Sequence, residues 1–466
     1  MIKTRFSPSP TGMLHLGNAR TALFSALYAK GNDGRYILRI EDTDQSRSEK
    51  KYIDTLKNDL HWLGIEWQEG PDVGGLAGPY FQSERADIYD QYYRQLEASG
   101  RAYPCFCTDA ELAFNRKLQL SRGQPPRYPG TCRKLSKEQI AKKIADGLTP
   151  ALRFFVPEDK TIEFVDLVKD LQRFNSSDIG DFIIRRADGG SSFMFCNAID
   201  DSLMGVTHVL RGEDHLTNTP RQLMILDALQ LRKPEYGHLS LITNEDSMRL
   251  SKRKGSFSLH DLREEGYLSL AIVNYLSRLT HSYEDSVLLD FDTLAKKFRL
   301  DKLSRSPARF DRNQLLHWQK EAVLALKNDD AIWQWLGNTV KDKVPTAKQH
   351  LFASVMQKNI LFPSDANQWA DILFGEGPSW NEEKLALLNN TSADFFKTAQ
   401  EVFQKHQGDL KVILDDLKKS LNISGKNLFM PLRLALTGEE HGPELVHIVE
   451  FLGMDEVLKR LKDPRL

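Results

Sequence analysis

Residues 2 to 40 read as strand, turn, helix, strand. The β-prone run Ile2–Phe6 leads into the Pro/Gly-rich turn "SPSPTG", and then Ala19, Ala22, Leu23, Ala26 and Leu27 recur at helical spacing until Gly31 and Asn32 stop them. Tyr36–Ile40 (YILRI) resumes as a strand. Two strands joined by one helix predict a βαβ unit, and hence an α/β fold whose parallel sheet is covered by helices. Ligands in such sheets bind outside the carboxyl ends of the strands, where Arg5–Ser9 and Glu41 fall.

A chain of 466 residues is too long for one core. From Gly70 the pattern turns irregular, and the Gly/Pro-rich stretch "EGPDVGGLAGPYFQS" leads into a segment holding three of the four cysteines, which reads as an insertion. Near Ser191 apolar strands return, "SSFMFCNAI" and "THVLR", followed by a helix over Thr219–Leu231 and a strand over Leu239–Thr243. Beyond Ser256 the period is helical, and residues from 320 onward are expected to form two helical bundles. In the tail "PELVHIVEFLG", Pro443 sits at a first-turn position, Leu445, Val446, Val449 and Leu452 line one face, and Gly453 closes the helix.

The chain has no apolar run long enough to cross a bilayer and no basic-then-apolar leader, so a soluble, cytoplasmic protein is expected. Four cysteines are too few for a disulfide scaffold and point to metal binding or packing. A net charge of −1 excludes a globally basic nucleic-acid binder but leaves room for a local patch such as Arg249–Lys254.

Pro8–Asn18 suits an anion. Prolines and Gly12 hold a loop against a helix mouth, whose free N–H groups and positive dipole end attract phosphate; His15 and Asn18 add donors, and Gly17 leaves room for a flat base. The same residues would equally make a well-capped helix after a tight turn. The second device is "MRLSKRKGS", Met248–Ser256, which sets Arg249, Lys252, Arg253 and Lys254 beside Ser251 directly after a predicted strand. Such a basic loop can clamp a polyphosphate, although basic runs are more commonly solvated faces.

Together these segments resemble a known pair. "HLGN" in its "SPSPTG" frame is similar to the HIGH signature of class I aminoacyl-tRNA synthetases, and "RLSKR" to their KMSKS loop. "RIEDTD" (Arg39–Asp44), "GPYFQSER" (Gly78–Arg85), "LRGEDHLTNTPRQ" (Leu210–Gln222) and "PLRLALTG" (Pro431–Gly438) resemble, in matching order, the bacterial glutamyl-tRNA synthetases. That resemblance implies a Rossmann-like parallel-sheet core in two halves, residues 1–80 and 191–245, around an inserted acceptor-end domain, 81–190. It further implies a stem-contact region with the KMSKS-like loop, 246–318, and helical anticodon-binding domains over 319–400 and 401–466.

The implied reaction condenses L-glutamate with ATP, in the presence of Mg2+, to an enzyme-bound adenylate and then moves the glutamyl group to the 3' end of tRNA-Glu. Relatives are monomers that mostly require tRNA even for the first step. The resemblance makes His15 and Lys252 catalytic and puts Gly12, His15, Gly17, Asn18, Arg249, Ser251, Lys252 and Arg253 around ATP. Glutamate carries two carboxylates and one ammonium, so a selective pocket needs two cations, preferably arginines, and one anion. Arg5, Arg211 and Glu41 supply that set, and the resemblance places them in the pocket with Ser9, Phe193 and Asn197.

Cys105, Cys107 and Cys132 resemble the zinc-binding insertion of some relatives, in which a histidine two positions after the last cysteine completes the site. Here that position is Lys134, and no histidine lies between His61 and His208. Tyr128 has the spacing of the Tyr-x3-Cys ligands in truncated glutamyl-queuosine relatives, so the alternatives are zinc on Cys105, Cys107, Tyr128 and Cys132, or a metal-free knuckle. Between Arg312 and Arg433 there is no arginine. The resemblance links rejection of tRNA-Gln to an arginine in this region, which leaves a relaxed or tRNA-Gln-directed enzyme open.

Glutaminyl-tRNA synthetases share the core, but their anticodon region is built of β-barrels, against the helical period here. A glutamyl-queuosine enzyme would lack the helical region, an inactive tRNA-binding paralogue need not keep His15 and Lys252, and a small nucleotidylyltransferase does not explain the length. Phe193 departs from the family, which commonly has tyrosine there. One hydrogen bond to substrate is thereby lost, so Phe193→Tyr is expected to lower the KM for glutamate about threefold to tenfold. An unchanged KM in steady-state aminoacylation would show that the hydroxyl is immaterial.

Overall fold

The first strand and the second pair in parallel around the first helix, as the opening pattern predicts. In the computed structural model, which describes residues 1–43, 48–243, 258–392, 394–406 and 409–465, β1 (Lys3–Phe6) is joined through α1 (Leu16–Gly31) to β2 (Arg35–Leu38). Lys3 registers with Arg35 and Phe6 with Leu38. Ala19, Ala22, Leu23, Phe24, Leu27 and Ala29 of α1 are all buried, because small residues let the helix lie close on its neighbours. Gly31 ends it where a Cβ would collide with the Ala295 carbonyl oxygen.

After α2 (Lys50–Trp62) and the 3-10 turn Gln82–Glu84, the insertion opens with α3 (Ala86–Ala98), β3 (Ala102–Cys105), α4 (Asp109–Ser121) and α5 (Lys137–Ala145). Thr108 with Glu111, and Ser136 with Gln139, form reciprocal caps at the starts of α4 and α5. β4 (Ala151–Phe154) lies between β3 and β7 (Phe182–Arg185) in an antiparallel sheet, and β5 (Thr161–Asp166) with β6 (Asp170–Asn175) forms a hairpin ahead of the short α6 (Ser176–Ile179).

The parallel elements then return. α7 (Phe193–Leu203) leads to β8 (His208–Gly212), α8 (Thr219–Ala228) and β9 (Glu235–Leu239), with β8 and β9 parallel. Bonds between Thr207 and Lys3 set β8 beside β1. The expected strand over "SSFMFCNAI" is therefore a helix. Phe195 to Asp201 are seven consecutive buried residues; Asn197, Asp200 and Asp201 do recur at helical spacing, but the two aspartates lie beyond the apolar run "SSFMFCNAI", which by itself reads as a buried strand. The expected strand Leu239–Thr243 is broken into the end of β9 and β10 (Ile242–Thr243). α9 (Leu259–Glu265), α10 (Ser269–Arg278) and α11 (Phe291–Lys297) follow, and β11 (Ala308–Arg309) pairs with β10.

The chain divides into two units, Met1–Glu264 with Ser269–Leu315, and Glu265–Leu268 with Leu316–Leu466. The second is helical. Trp333, Phe352, Trp369, Phe403, Leu432 and Phe451 belong to its continuous apolar core. The tail helix runs Leu445–Leu452 and buries Leu445, Ile448 and Phe451, whereas Val446 is 45% exposed. Pro443 precedes the capping residue Glu444 instead of occupying the first turn, and the inward face runs through Leu445, Ile448 and Phe451, with Val449 and Leu452 at its partly buried margin. Among the described residues, no helix is long and apolar enough to cross a membrane.

Candidate active site

A crevice of about 360 Å³ opens at the carboxyl ends of β1 and β8 and at the start of α1. Arg5, Ser9, His15, Gly17, Asn18, Glu41, Phe193, Asn197 and Arg211 all line it, together with His215; Gly12 does not. Arg249, Ser251, Lys252 and Arg253 lie outside the described residues.

His15 caps α1 in an extended conformation, and the residues after it form the helix mouth. Above Gly17 there is open space: an added Cβ would meet nothing within 4 Å. The helix terminus therefore presents donors to the crevice, and a planar group can lie on its backbone.

The two pocket arginines differ in their partners. Arg5 is 4% exposed and donates from Nε and Nη2 to Asp201 at 3.2 and 3.3 Å, and from Nη1 to the Leu210 carbonyl at 3.4 Å. Arg211 is 5% exposed and donates to neutral groups, from Nε to His238 Nε2 at 3.1 Å and from Nη2 to Thr219 Oγ1 at 2.7 Å. Its Nη1 is buried without a hydrogen-bond partner among the described residues. Burial lowers the Arg211 pKa to about 10, which still leaves it charged at neutral pH.

Glu41 faces these cations from the loop after β2. Its Oε1 accepts no hydrogen bond among the described residues, and Arg39 Nη2 is 3.6 Å away. Burial raises the Glu41 carboxyl to about 7 against the pull of Arg39 and Arg5. Phe193 stacks on His215 with ring centroids 5.1 Å apart, and burial, reinforced by Arg211, pushes the His215 imidazole down to about 4. The His215 imidazole is therefore neutral at neutral pH.

Beneath the crevice lies a buried ion cluster absent from the sequence-based site. Arg39, fully buried, donates from Nη1 to Asp201 at 2.7 Å and from Nη2 to Asn197 Oδ1 at 2.9 Å. Asp200 accepts from Arg85 Nε at 2.7 Å, Gln82 Nε2 at 2.8 Å and the Tyr89 hydroxyl at 2.7 Å. Arg39, Gln82 and Arg85 all stand in motifs quoted above, and the Asp200-Asp201 doublet inside an apolar run is the signal that would have found the rest.

Cys105, Cys107 and Cys132 converge in the insertion, with their three sulfurs within 4.8 Å of one another. Cys107 Sγ is 3.7 Å from Cys132 Sγ, and the Tyr128 hydroxyl lies 3.5 Å from the sulfurs of both Cys105 and Cys107. Tetrahedral zinc with sulfur at about 2.3 Å and oxygen at about 2.0 Å requires S to S separations of about 3.8 Å and O to S separations of about 3.5 Å. The Cys107–Cys132 separation and the two from Tyr128 match those values. Lys134 is exposed, and Cys196 is buried against Gln82 away from this cluster.

The description "tRNA synthetases class I (E and Q), catalytic domain" matches residues 1–317, and "Anticodon binding domain" matches residues 320–464. The chain is 52% identical over 463 residues to Glutamate--tRNA ligase 2 of Coxiella burnetii, covering 99% of each. It is 52% identical over 462 residues to Glutamate--tRNA ligase 2 of Nitrosococcus oceani, covering 99% of this chain and 98% of the relative. A crystal structure of a glutamate tRNA ligase from Elizabethkingia meningosepticum in complex with its amino acid superposes with a TM-score of 0.88 at 30% identity, over 99% of this chain and 98% of that one. With the parallel core, the crevice at the mouth of α1 and a helical second unit in place, the chain belongs to the class I tRNA synthetases of the glutamate and glutamine type.

Proposed function

We propose that the crevice holds L-glutamate and ATP side by side and that the chain ligates glutamate to the 3' end of tRNA-Glu through a glutamyl adenylate. The observation that carries this is the pairing of two buried arginines with one buried glutamate in a crevice against a helix mouth. Arg5 and Arg211 complement the two carboxylates of glutamate, Glu41 its ammonium, and Ser9, Phe193 and Asn197 complete the pocket. His15, Gly17 and Asn18 receive ATP, which enters with Mg2+, and Arg249, Ser251, Lys252 and Arg253 pair with its phosphates.

In the first step a carboxylate oxygen of glutamate attacks the α-phosphorus and pyrophosphate leaves. In the second, a ribose hydroxyl of the terminal adenosine attacks the acyl carbon and AMP leaves. No protein nucleophile is needed, so the side chains act by position and by stabilising charge. Residues 81–190 receive the acceptor end, 246–318 the stem, and the helices of 319–400 and 401–466 the anticodon. The enzyme works in the cytoplasm as a monomer.

A second reading, favoured by the arginine-free stretch between Arg312 and Arg433, is that tRNA-Gln is charged as well. Arg433 is engaged, donating to the Pro443 carbonyl at 2.8 Å. Base edges are read best by paired donors such as arginine, whereas lysine suits phosphates. Zinc on Cys105, Cys107, Tyr128 and Cys132 would brace the start of the insertion, and its role there is structural.

ATP–pyrophosphate exchange and charging, measured with purified tRNA-Glu and tRNA-Gln, test both readings. Glutamate-dependent exchange that requires tRNA is expected, with rate losses of about 100-fold or more in His15→Ala and Lys252→Ala and smaller changes in ATP affinity. Absence of any glutamyl-tRNA-Gln rejects the second reading. Metal analysis should find one zinc per chain, lost in Cys132→Ser, and a zinc-free native protein leaves the knuckle metal-free. Because Glu41 must be ionised to hold an ammonium, the KM for glutamate is expected to rise about tenfold as pH falls from about 8 to about 6. Glu41→Gln should show a high, flat KM, and a flat profile in the parent enzyme would remove Glu41 from that role.

A further inference from the structure

His238 and Asp166 lie behind Arg211, away from the crevice lining, and both are essentially buried. His238 belongs to β9, whereas Asp166 ends β5 in the hairpin of the insertion. The Asp166 carboxylate is fully used. Oδ1 accepts from the backbone N–H groups of Val168, Lys169 and His238 at 2.9, 2.8 and 3.1 Å, and Oδ2 faces His238 Nδ1 at 2.5 Å.

A carboxylate only accepts, so the imidazole proton sits on Nδ1. Burial depresses the basicity of His238, so the ring is neutral and Nε2 keeps its lone pair. That lone pair receives Arg211 Nε–H at 3.1 Å, and Thr219 Oγ1 receives Nη2–H at 2.7 Å. Of the three guanidinium nitrogens only Nη1 has no hydrogen-bond partner among the described residues, and Arg211 lines the crevice.

We infer that Asp166 and His238 are positioning residues, which fix the imidazole tautomer so that Arg211 is aimed into the crevice by neutral acceptors. This rests on the proposed role of Arg211 as a glutamate ligand. The physical point is the contrast with Arg5. Arg5 has an ionic partner in Asp201, which it shares with Arg39, whereas a histidine lone pair and a hydroxyl orient Arg211 with no carboxylate bonded to it, so its charge stays available to a substrate carboxylate. The hairpin is also seated on the catalytic core close to this point. Leu167 N–H donates to the Tyr236 carbonyl at 2.8 Å, and Lys169 Nζ pairs with Glu213 at 2.6 Å. The insertion thus reaches the amino-acid pocket through one carboxylate.

The test uses the full chain with saturating ATP and tRNA-Glu, reading the KM for glutamate separately from kcat and from the KM for ATP. In Asp166→Asn the oxygen kept at Oδ1 still holds the hairpin turn, but the amide N–H facing Nδ1 drives the ring proton to Nε2, against Arg211 Nε–H. The KM for glutamate is expected to rise at least about tenfold while kcat and the KM for ATP stay within about threefold. His238→Gln puts an amide oxygen near the Nε2 position, an acceptor whatever stands at 166. It should therefore stay within about threefold of the parent KM for glutamate, and the double variant Asp166→Asn/His238→Gln should recover to the same level.

Multiplying losses in the double variant would overturn the inference, because a merely structural Asp166 predicts them. A second pair needs no change at Asp166: His238→Asn, which keeps a donor near Nδ1 but has no atom at Nε2, should raise the KM for glutamate more than His238→Gln, and the reverse order would overturn it. Arg211→Lys separates the two levels. An unmoved KM for glutamate there removes Arg211 as a ligand, whereas a raised KM with Asp166→Asn unaffected overturns the positioning inference alone.

Discussion

Arg39 and the carboxylate pair Asp200-Asp201 hold the catalytic core to its insertion. Arg39 stands just after β2, the two aspartates sit on α7, Arg5 is on β1, and Arg85 and Tyr89 bring in the start of the insertion. Asp200 and Asp201 are 0% exposed, as is Arg39. Charges at such depth are costly unless they are paired, and removing one partner of a buried pair costs about 3–5 kcal/mol. The segments must therefore close together. Mutual attraction holds the Asp201 carboxyl below its ordinary value despite burial, through Arg5 and Arg39.

The crevice takes its electrostatics from that cluster. Asp201 aims Arg5, Arg39 holds Asn197 and attracts Glu41, and the low polarity of the surroundings keeps the Glu41 carboxyl near the threshold of ionisation. Arg211, on the far side, has only neutral acceptors. One arginine bonded to a shared carboxylate, one bonded only to neutral groups and one marginal carboxylate are the set to which the proposed function assigns a zwitterion bearing an extra carboxylate. Chemistry without a protein nucleophile depends on such preorganisation, because the enzyme contributes only position and field.

Legibility along the chain followed exposure. α1 was readable because glycine, asparagine and a proline-rich turn punctuate it, and β1 and β2 because short β-prone runs flank it. α7 reads as a strand because the apolar run ahead of Asp200 is short and buried, and the helical spacing of Asn197, Asp200 and Asp201 shows only when the aspartates beyond that run are taken with it. The tail helix is recognisable, but Val446 is on its outer side, because the run Leu445, Val446, Ile448, Val449, Phe451 and Leu452 is apolar on more than one face and packing alone selects the inward one. At the crevice, Arg5, Glu41, Asn197 and Arg211 were legible from charge complementarity joined to family resemblance. Arg39, His215, His238 and Asp166 were not, since their importance lies in contacts between residues far apart in the chain.

The sequence by itself determined the inventory: a βαβ opening, a helix mouth behind prolines, two arginines and one glutamate for a doubly acidic substrate, three thiols and a tyrosine at metal-ligand spacing, and a helical end without arginine between 312 and 433. Motif order carried these because local propensity and side-chain chemistry are properties of short segments. Only the tertiary structure decided which arginine has a carboxylate bonded to it and which has not, why Glu41 titrates near neutrality, and that the Tyr128 oxygen stands 3.5 Å from two sulfurs. Burial and distance govern all three, and folding alone creates them, by bringing Asp201 to Arg5 and the insertion's Asp166 to His238.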